Sequence, residues 1–210
     1  MIRVLHVVVS METGGLENGI VNLVNRHDTA QFKVDILCLT ARGELVDRIT
    51  STATEVFFDH ATTGVPDSVR IIRQHLSSHR YDIVHSHGFG TMLASYLALL
   101  GDRRTRLING EHGVIYADKL WQRLLQRFLF NRVVINLSVS AILGNHIADT
   151  FGVRRDRFLP IINGVDTRLF RPNPAMRARL RQELGLEHAF VVGSVGRLVP
   201  VKDYGTLIRA

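Results

Sequence analysis

The sequence predicts an α/β protein built on a Rossmann-like, doubly wound parallel sheet. Three observations predict it. Apolar runs of strand length alternate with stretches in helical spacing along most of the chain. The first run, with Ile2, Val4, Leu5, Val7, Val8 and Val9, is nearly continuous, as in strands buried on both faces. Glycine-rich and polar clusters follow the runs, at the carboxyl ends of the predicted strands, where open α/β sheets hold ligands.

Each element has its own signal. After the first strand comes a polar turn, then Gly14 and Gly15, then a helix carried by Leu16, Ile20, Leu23 and Val24. The two glycines allow either a tight turn or a close approach of backbone to a ligand, helped by positive φ or the missing Cβ. The helix behind them offers free N–H groups and a positive dipole end. Residues 32–40 read as the second strand, 43–49 as a short helix and 55–58 as the third strand. A helix opens near Pro66 and runs to about His79. Residues 81–87 form the fourth strand, 91–100 an apolar helix and 106–109 the fifth strand. An amphipathic helix is expected over 118–131, the sixth strand over 133–139 and a helix capped by Ser140 up to Thr150. The seventh strand is expected over 158–162, ending in Asn163, Gly164, Val165 and Asp166. Pro172 and Pro174 mark a break, and a helix over 176–184 closes at Gly185. A new strand over 189–195 and a helix from Tyr204 read as the start of a second α/β unit. The expected division is 1–172, a linker at 173–188, and 189–210 as the beginning of a further domain in a longer protein.

Composition narrows the class. In 210 residues, 46% are apolar and 21% charged, as in ordinary soluble globular proteins. No apolar run reaches the roughly 20 residues of a membrane span, and the N-terminus lacks a cleavable leader pattern. A single cysteine, Cys38, fits a reducing cytoplasm and reads as a buried thiol. The net charge is +7, with eight arginines between Arg154 and Arg181. Lys119, Arg123 and Arg127 form a basic stripe, open to two readings: an anionic membrane surface or a solvated helix face. No pattern supports nucleic acid as a partner.

The chemistry-bearing residues gather at strand ends. His112, between glycines, has room to orient a hydroxyl or accept a proton. Glu111 beside it either holds the ring or points elsewhere. His85 and His87 are assigned to opposite faces of the fourth strand, His85 satisfied in the core and His87 lining the cleft. No metal is expected, since neither histidine has an acidic or cysteine partner at ligand spacing. Arg197 and Lys202 can clamp a phosphate or diphosphate. A Gly-x-Gly-x-x-Gly loop is missing, which argues against a nicotinamide dehydrogenase, and no phosphate loop of the GKS/T type is present.

Taken in order, five stretches resemble a known family. They are Gly14-Gly15-Leu16-Glu17-Asn18; Asp82 to His87; Gly110-Glu111-His112-Gly113; Asn163 to Asp166 with Phe170 and Pro172; and Val195-Gly196-Arg197-Leu198 before Lys202. Together they look like a retaining glycosyltransferase of family 4 with the GT-B fold. The first string is similar to sugar transferases of bacterial exopolysaccharide and exosortase-associated loci. The resemblance covers nearly the whole chain. It implies two Rossmann-like domains across a cleft, with the acceptor bound by the N-terminal one. Gly14 and Gly15 would then approach the donor diphosphate, and His112 the transferred sugar. Arg197 and Lys202 would neutralise the leaving group, and Glu17, His87, Glu111 and Asn163 would line the acceptor side. One departure is Asp203, where the family has glycine after the lysine; a carboxylate there is unfavourable beside a diphosphate unless it turns away.

The expected function is thus the acceptor-side domain of a glycosyltransferase, inactive alone, using a nucleotide sugar and a glycan or lipid-linked acceptor. It requires no cofactor and no metal. It acts in the cytoplasm, with a peripheral membrane contact to be tested. A non-catalytic sugar- or lipid-binding module is the alternative, and a nucleotide-sugar epimerase a third reading.

Overall fold

The computed structural model describes residues 1–60, 64–113 and 119–210. It divides into two compact units, Met1–Gly164 and Val165–Ala210.

The first unit is a single seven-stranded sheet. Its strands are β1 (Ile2–Ser10), β2 (Phe32–Ala41), β3 (Val56–Phe58), β4 (Ile83–His87), β5 (Arg106–Glu111), β6 (Asn136–Ser138) and β7 (Phe158–Pro160). They lie in the order β3-β2-β1-β4-β5-β6-β7, and every neighbouring pair is parallel. The order reverses between β1 and β4, which creates the crevice where doubly wound sheets place ligands. The helices are α1 (Gly15–Val24), α2 (Gly64–Ser78), α3 (Phe89–Ala98), α4 (Leu120–Arg132) and α5 (Ala141–Phe151), with a short 3-10 turn over Glu44–Arg48. The Rossmann-like reading of the sequence is therefore the fold of this unit.

Two cores hold it together. On one face Leu5, Val7, Val84 and Leu107 of the sheet meet Met92 and Ala94 of α3, Leu129 and Phe130 of α4, and Ile147 and Phe151 of α5. On the other, Val8, Val34, Ile36 and Cys38 meet Ile20, Val21 and Val24 of α1. Cys38 is fully buried, and desolvation pushes its thiol up to about 11, so it is an inert core residue. Ser140 caps α5 as expected, its hydroxyl accepting from the Leu143 amide at 3.1 Å.

The amphipathic helix begins at Leu120; the expected start at Asp118 lies outside the described residues. Its basic stripe is exposed, and two of its residues also reach the neighbouring helix. Arg123 donates to the Thr150 carbonyl at 2.7 Å, and the Arg127 guanidinium lies beside Gly152, so both sit against the carboxyl end of α5. The helix also exposes apolar side chains beside these basic ones, with Leu120 at 71%, Trp121 at 58%, Leu124 at 57% and Phe128 at 42% exposure. The arginine-rich stretch is likewise partly paired, Arg154 with Asp156 and Arg155 with Asp149.

The second unit holds α6 (Pro174–Glu183), a 3-10 turn over Pro200–Lys202 and α7 (Tyr204–Arg209). The expected strand over 189–195 does not form: the segment is irregular, and Phe190, Val192 and Val195 are exposed. A strand needs a neighbour to take up its N–H and C=O groups, and the second unit has no strand among its described residues. Asp203 adopts φ 46°, the left-handed region in which glycine is favoured, and its carboxylate caps α7 by accepting from the Thr206 amide. The carboxylate is thus turned to the first amides of α7.

Candidate functional site

The crevice between β1 and β4 is lined by imidazoles. Register places His6 of β1 beside His85 of β4 and His87 beside Gly110 of β5. In a strand, residues two apart share a face. His85 and His87 therefore lie on the same side, with ring centroids 4.2 Å apart, and the assignment to opposite faces is corrected. Nor is His85 satisfied in the core: its Nε2 is buried without a hydrogen-bond partner. His6 was not singled out in the sequence, because it sits inside the apolar first run. A polar ring interrupting a strand buried on both faces was the available signal.

The rings form a chain. His87 Nε2 lies 2.9 Å from His6 Nδ1, and His87 Nδ1 lies 3.0 Å from His112 Nε2. A neutral imidazole carries one N–H, so His87 donates at one nitrogen and accepts at the other. The two bonds must run in one direction, and the tautomer of His112 is tied to that of His6. Burial keeps these rings neutral: it lowers His6 to about 4 and holds His85 and His87 well below the usual imidazole range, with neighbouring histidines adding to the effect. His112 is exposed at the strand end, and burial of part of its ring lowers it more modestly.

Backbone geometry holds the cluster. The Thr91 hydroxyl accepts from the His87 amide at 2.9 Å and donates to the His87 carbonyl at 2.8 Å. Gly88 turns the chain at φ 83° and donates its amide to the Gly110 carbonyl at 2.9 Å. A Cβ on Gly110 would crowd the cluster, standing 3.0 Å from Nε2 of both His85 and His112 and 3.2 Å from Nδ1 of His87.

Glu111 points away from His112. Its carboxyl accepts from Asn109 Nδ2 at 2.7 Å, and Asn109 Oδ1 in turn accepts from Ser86 at 2.9 Å. The residue is 3% exposed, and burial raises its carboxyl to about 7 against the lowering effect of the Asn109 bond. Of the two sequence readings for Glu111, the structure therefore selects the one in which it does not hold the His112 ring.

The first glycine turn is close to this edge of the sheet, at the end of β1. Neither Gly14 nor Gly15 takes a positive φ; Gly14 is extended at φ −158°. They differ in surroundings. A Cβ on Gly14 would collide with the Glu17 carboxylate, whereas one on Gly15 would meet nothing within 4 Å. Glu17 thus lies over the N-terminal end of α1, the position that favours an anion. Gly15 alone faces open space. Asn163, at the end of the first unit, is exposed. Arg197 and Lys202 belong to the second unit and are exposed within it.

Comparison with known proteins gives a consistent picture. Residues 13–169 match the family described as Glycosyltransferase Family 4. A protein named as a glycosyltransferase, EpsF of Bacillus subtilis (strain 168), is 24% identical over 220 residues, covering 99% of this chain and 57% of that protein. The GDP-mannose-dependent alpha-(1-6)-phosphatidylinositol monomannoside mannosyltransferase of Mycolicibacterium smegmatis is 32% identical over 156 residues, 69% of this chain and 40% of the enzyme. Among solved structures, Anabaena Alr3699/HepE in complex with UDP and glucose superposes with a TM-score of 0.73 at 22% identity. That match covers all of this chain and 57% of HepE. The chain therefore spans little more than half the length of these relatives at most.

Proposed function

The chain belongs to glycosyltransferase family 4, and on that premise we propose that it is the acceptor-side part of an enzyme moving a sugar from a nucleotide-sugar donor to a glycan or lipid-linked acceptor, with retention of anomeric configuration. The observation that carries the reading is the hydrogen bond between His87 and His112 near the switch point of the sheet. It leaves an oriented imidazole at the carboxyl edge, able to hold a hydroxyl of the transferred sugar. The UDP and glucose named with HepE support a nucleotide-sugar donor.

In this reading Gly15 lets the donor diphosphate approach the amides that open α1. Gly14 makes room for Glu17, whose carboxylate swings to sugar hydroxyls when the diphosphate arrives. Arg197 and Lys202 meet the charge of the departing diphosphate, so the transfer step itself calls on no metal. His87 sets the His112 ring, Glu111 supports the strand end from beneath, and Asn163 borders the acceptor. The enzyme works in the cytoplasm, and the apolar face of α4 rests on the inner membrane surface, where a lipid-linked acceptor is found.

The test is a donor panel of UDP- and GDP-sugars with the whole protein, following product by mass spectrometry and its anomeric configuration by NMR. Transfer of one sugar with retention is expected. Release of an epimerised nucleotide sugar without transfer, or inversion, would overturn the reading.

A further inference from the structure

We propose that His6, His85 and His87 form a three-imidazole site for one divalent transition-metal cation of the zinc, cobalt or nickel type. One candidate ligand nitrogen from each residue lies within 4.8 Å of the others. The atoms can be assigned. His85 Nε2 is a buried lone pair or N–H with no partner, a state that folded proteins rarely tolerate without a ligand. His6 Nδ1 and His87 Nε2 face each other at 2.9 Å. Nitrogens bound tetrahedrally at about 2.0–2.1 Å from zinc stand roughly 3.3 Å apart, so this edge need open only by a few tenths of an ångström.

The remaining nitrogens suit the role. A metal-bound histidine normally bonds its second ring nitrogen to another group. His87 Nδ1 already has such a partner in His112 Nε2 at 3.0 Å. With Nε2 of His87 on the cation, its proton sits on Nδ1 and is donated to His112, and His112 carries its own proton on Nδ1. Loading would thus fix the tautomer of His112 without placing the cation in the sugar-transfer step. Ligation by three neutral imidazoles, with no carboxylate or thiolate, favours zinc, cobalt or nickel over magnesium, calcium or manganese. Gly110 permits the convergence, since a Cβ there would press on Nε2 of His85 and Nδ1 of His87. The site rests on ring geometry and stands whether or not the chain serves a glycosyltransferase.

The chain is stripped with chelator and titrated with Zn²⁺ by equilibrium dialysis and with Co²⁺ by visible absorption. One equivalent is expected, with the intense bands of tetrahedral cobalt. His85→Ala should weaken binding at least ten-fold, and so should Gly110→Ala, which keeps every ligand. His75→Ala, at a separate histidine cluster, should leave it unchanged. Zinc added to the unaltered protein should shift the imidazole ¹⁵N resonances of His6, His85 and His87, which needs no variant to fold. No stoichiometric uptake, uptake that survives His85→Ala, or shifts confined to other histidines would each overturn the site.

Discussion

His112 Nε2 stands 3.0 Å from Nδ1 of His87, a buried residue on the neighbouring strand. The exposed ring is therefore oriented by a buried one, whose own backbone is pinned by Thr91. In the whole protein, His87→Ala should lower kcat about ten- to hundred-fold with little change in KM, the scale seen when a supporting group is removed. Steady-state kinetics alongside circular dichroism separate this from unfolding. Equal loss in kcat and KM with altered dichroism would assign His87 to stability instead.

The two glycines of the first turn should part company. Gly14→Ala forces the Glu17 carboxylate from the N-terminal end of α1 and should cost up to about 1 kcal/mol of stability. Gly15→Ala enters open space at the start of a helix and should be neutral or stabilising by up to about 1 kcal/mol. Yet, if Gly15 borders the donor as proposed, it should weaken nucleotide-sugar binding in the whole protein. Urea unfolding and donor titration, run on both variants, check the crossed pattern.

Stability should depend on Glu111 through pH. Its carboxyl is raised from 4.5 to about 7 in the folded state, so the native form holds the proton more tightly than the unfolded chain. The stabilisation is fully present below about pH 4.5 and is lost as pH rises through 7. At about 1.4 kcal/mol per unit, the span is on the order of 3 kcal/mol. Glu111→Gln should flatten this part of the profile while keeping a hydrogen bond with Asn109. Urea titrations from pH 4 to 8 on both proteins decide it, and parallel profiles would remove Glu111 as the source.

The apolar face of α4 should bind lipid without supporting the fold. Trp121→Glu or Leu124→Glu alters exposed side chains and should change stability by no more than about 0.5 kcal/mol. Flotation with vesicles containing anionic lipid should fall sharply in either variant. Unchanged flotation would leave this face without the membrane role.

Much of the sheet was legible because buried parallel strands advertise themselves. The runs at Ile2, Phe32 and Arg106 each became a strand within a residue or two of expectation at their start. The run at Ala189 had the same composition and failed. Composition records the tendency to be buried, while a strand also needs a neighbour to pair with, and none stands in that unit among the described residues. The site was half legible. His112 could be found from its glycine flanks, whereas His6 could not be linked to His87 across 81 positions without the strand order. Asp203 shows another limit: neither its left-handed backbone nor its helix cap could be read from the sequence, where glycine is the residue expected at such a φ.

The placement of β1 carries a cost in time. It pairs with β2 on one side and with β4 on the other, and β4 begins at Ile83. At ribosomal rates of roughly 5–20 residues per second, several seconds pass between synthesis of the first and the last of these three strands. Through that interval one edge of a largely apolar strand has no native neighbour. The nascent chain must keep that edge from pairing elsewhere, so chaperone capture during translation is most needed before His87 leaves the ribosome.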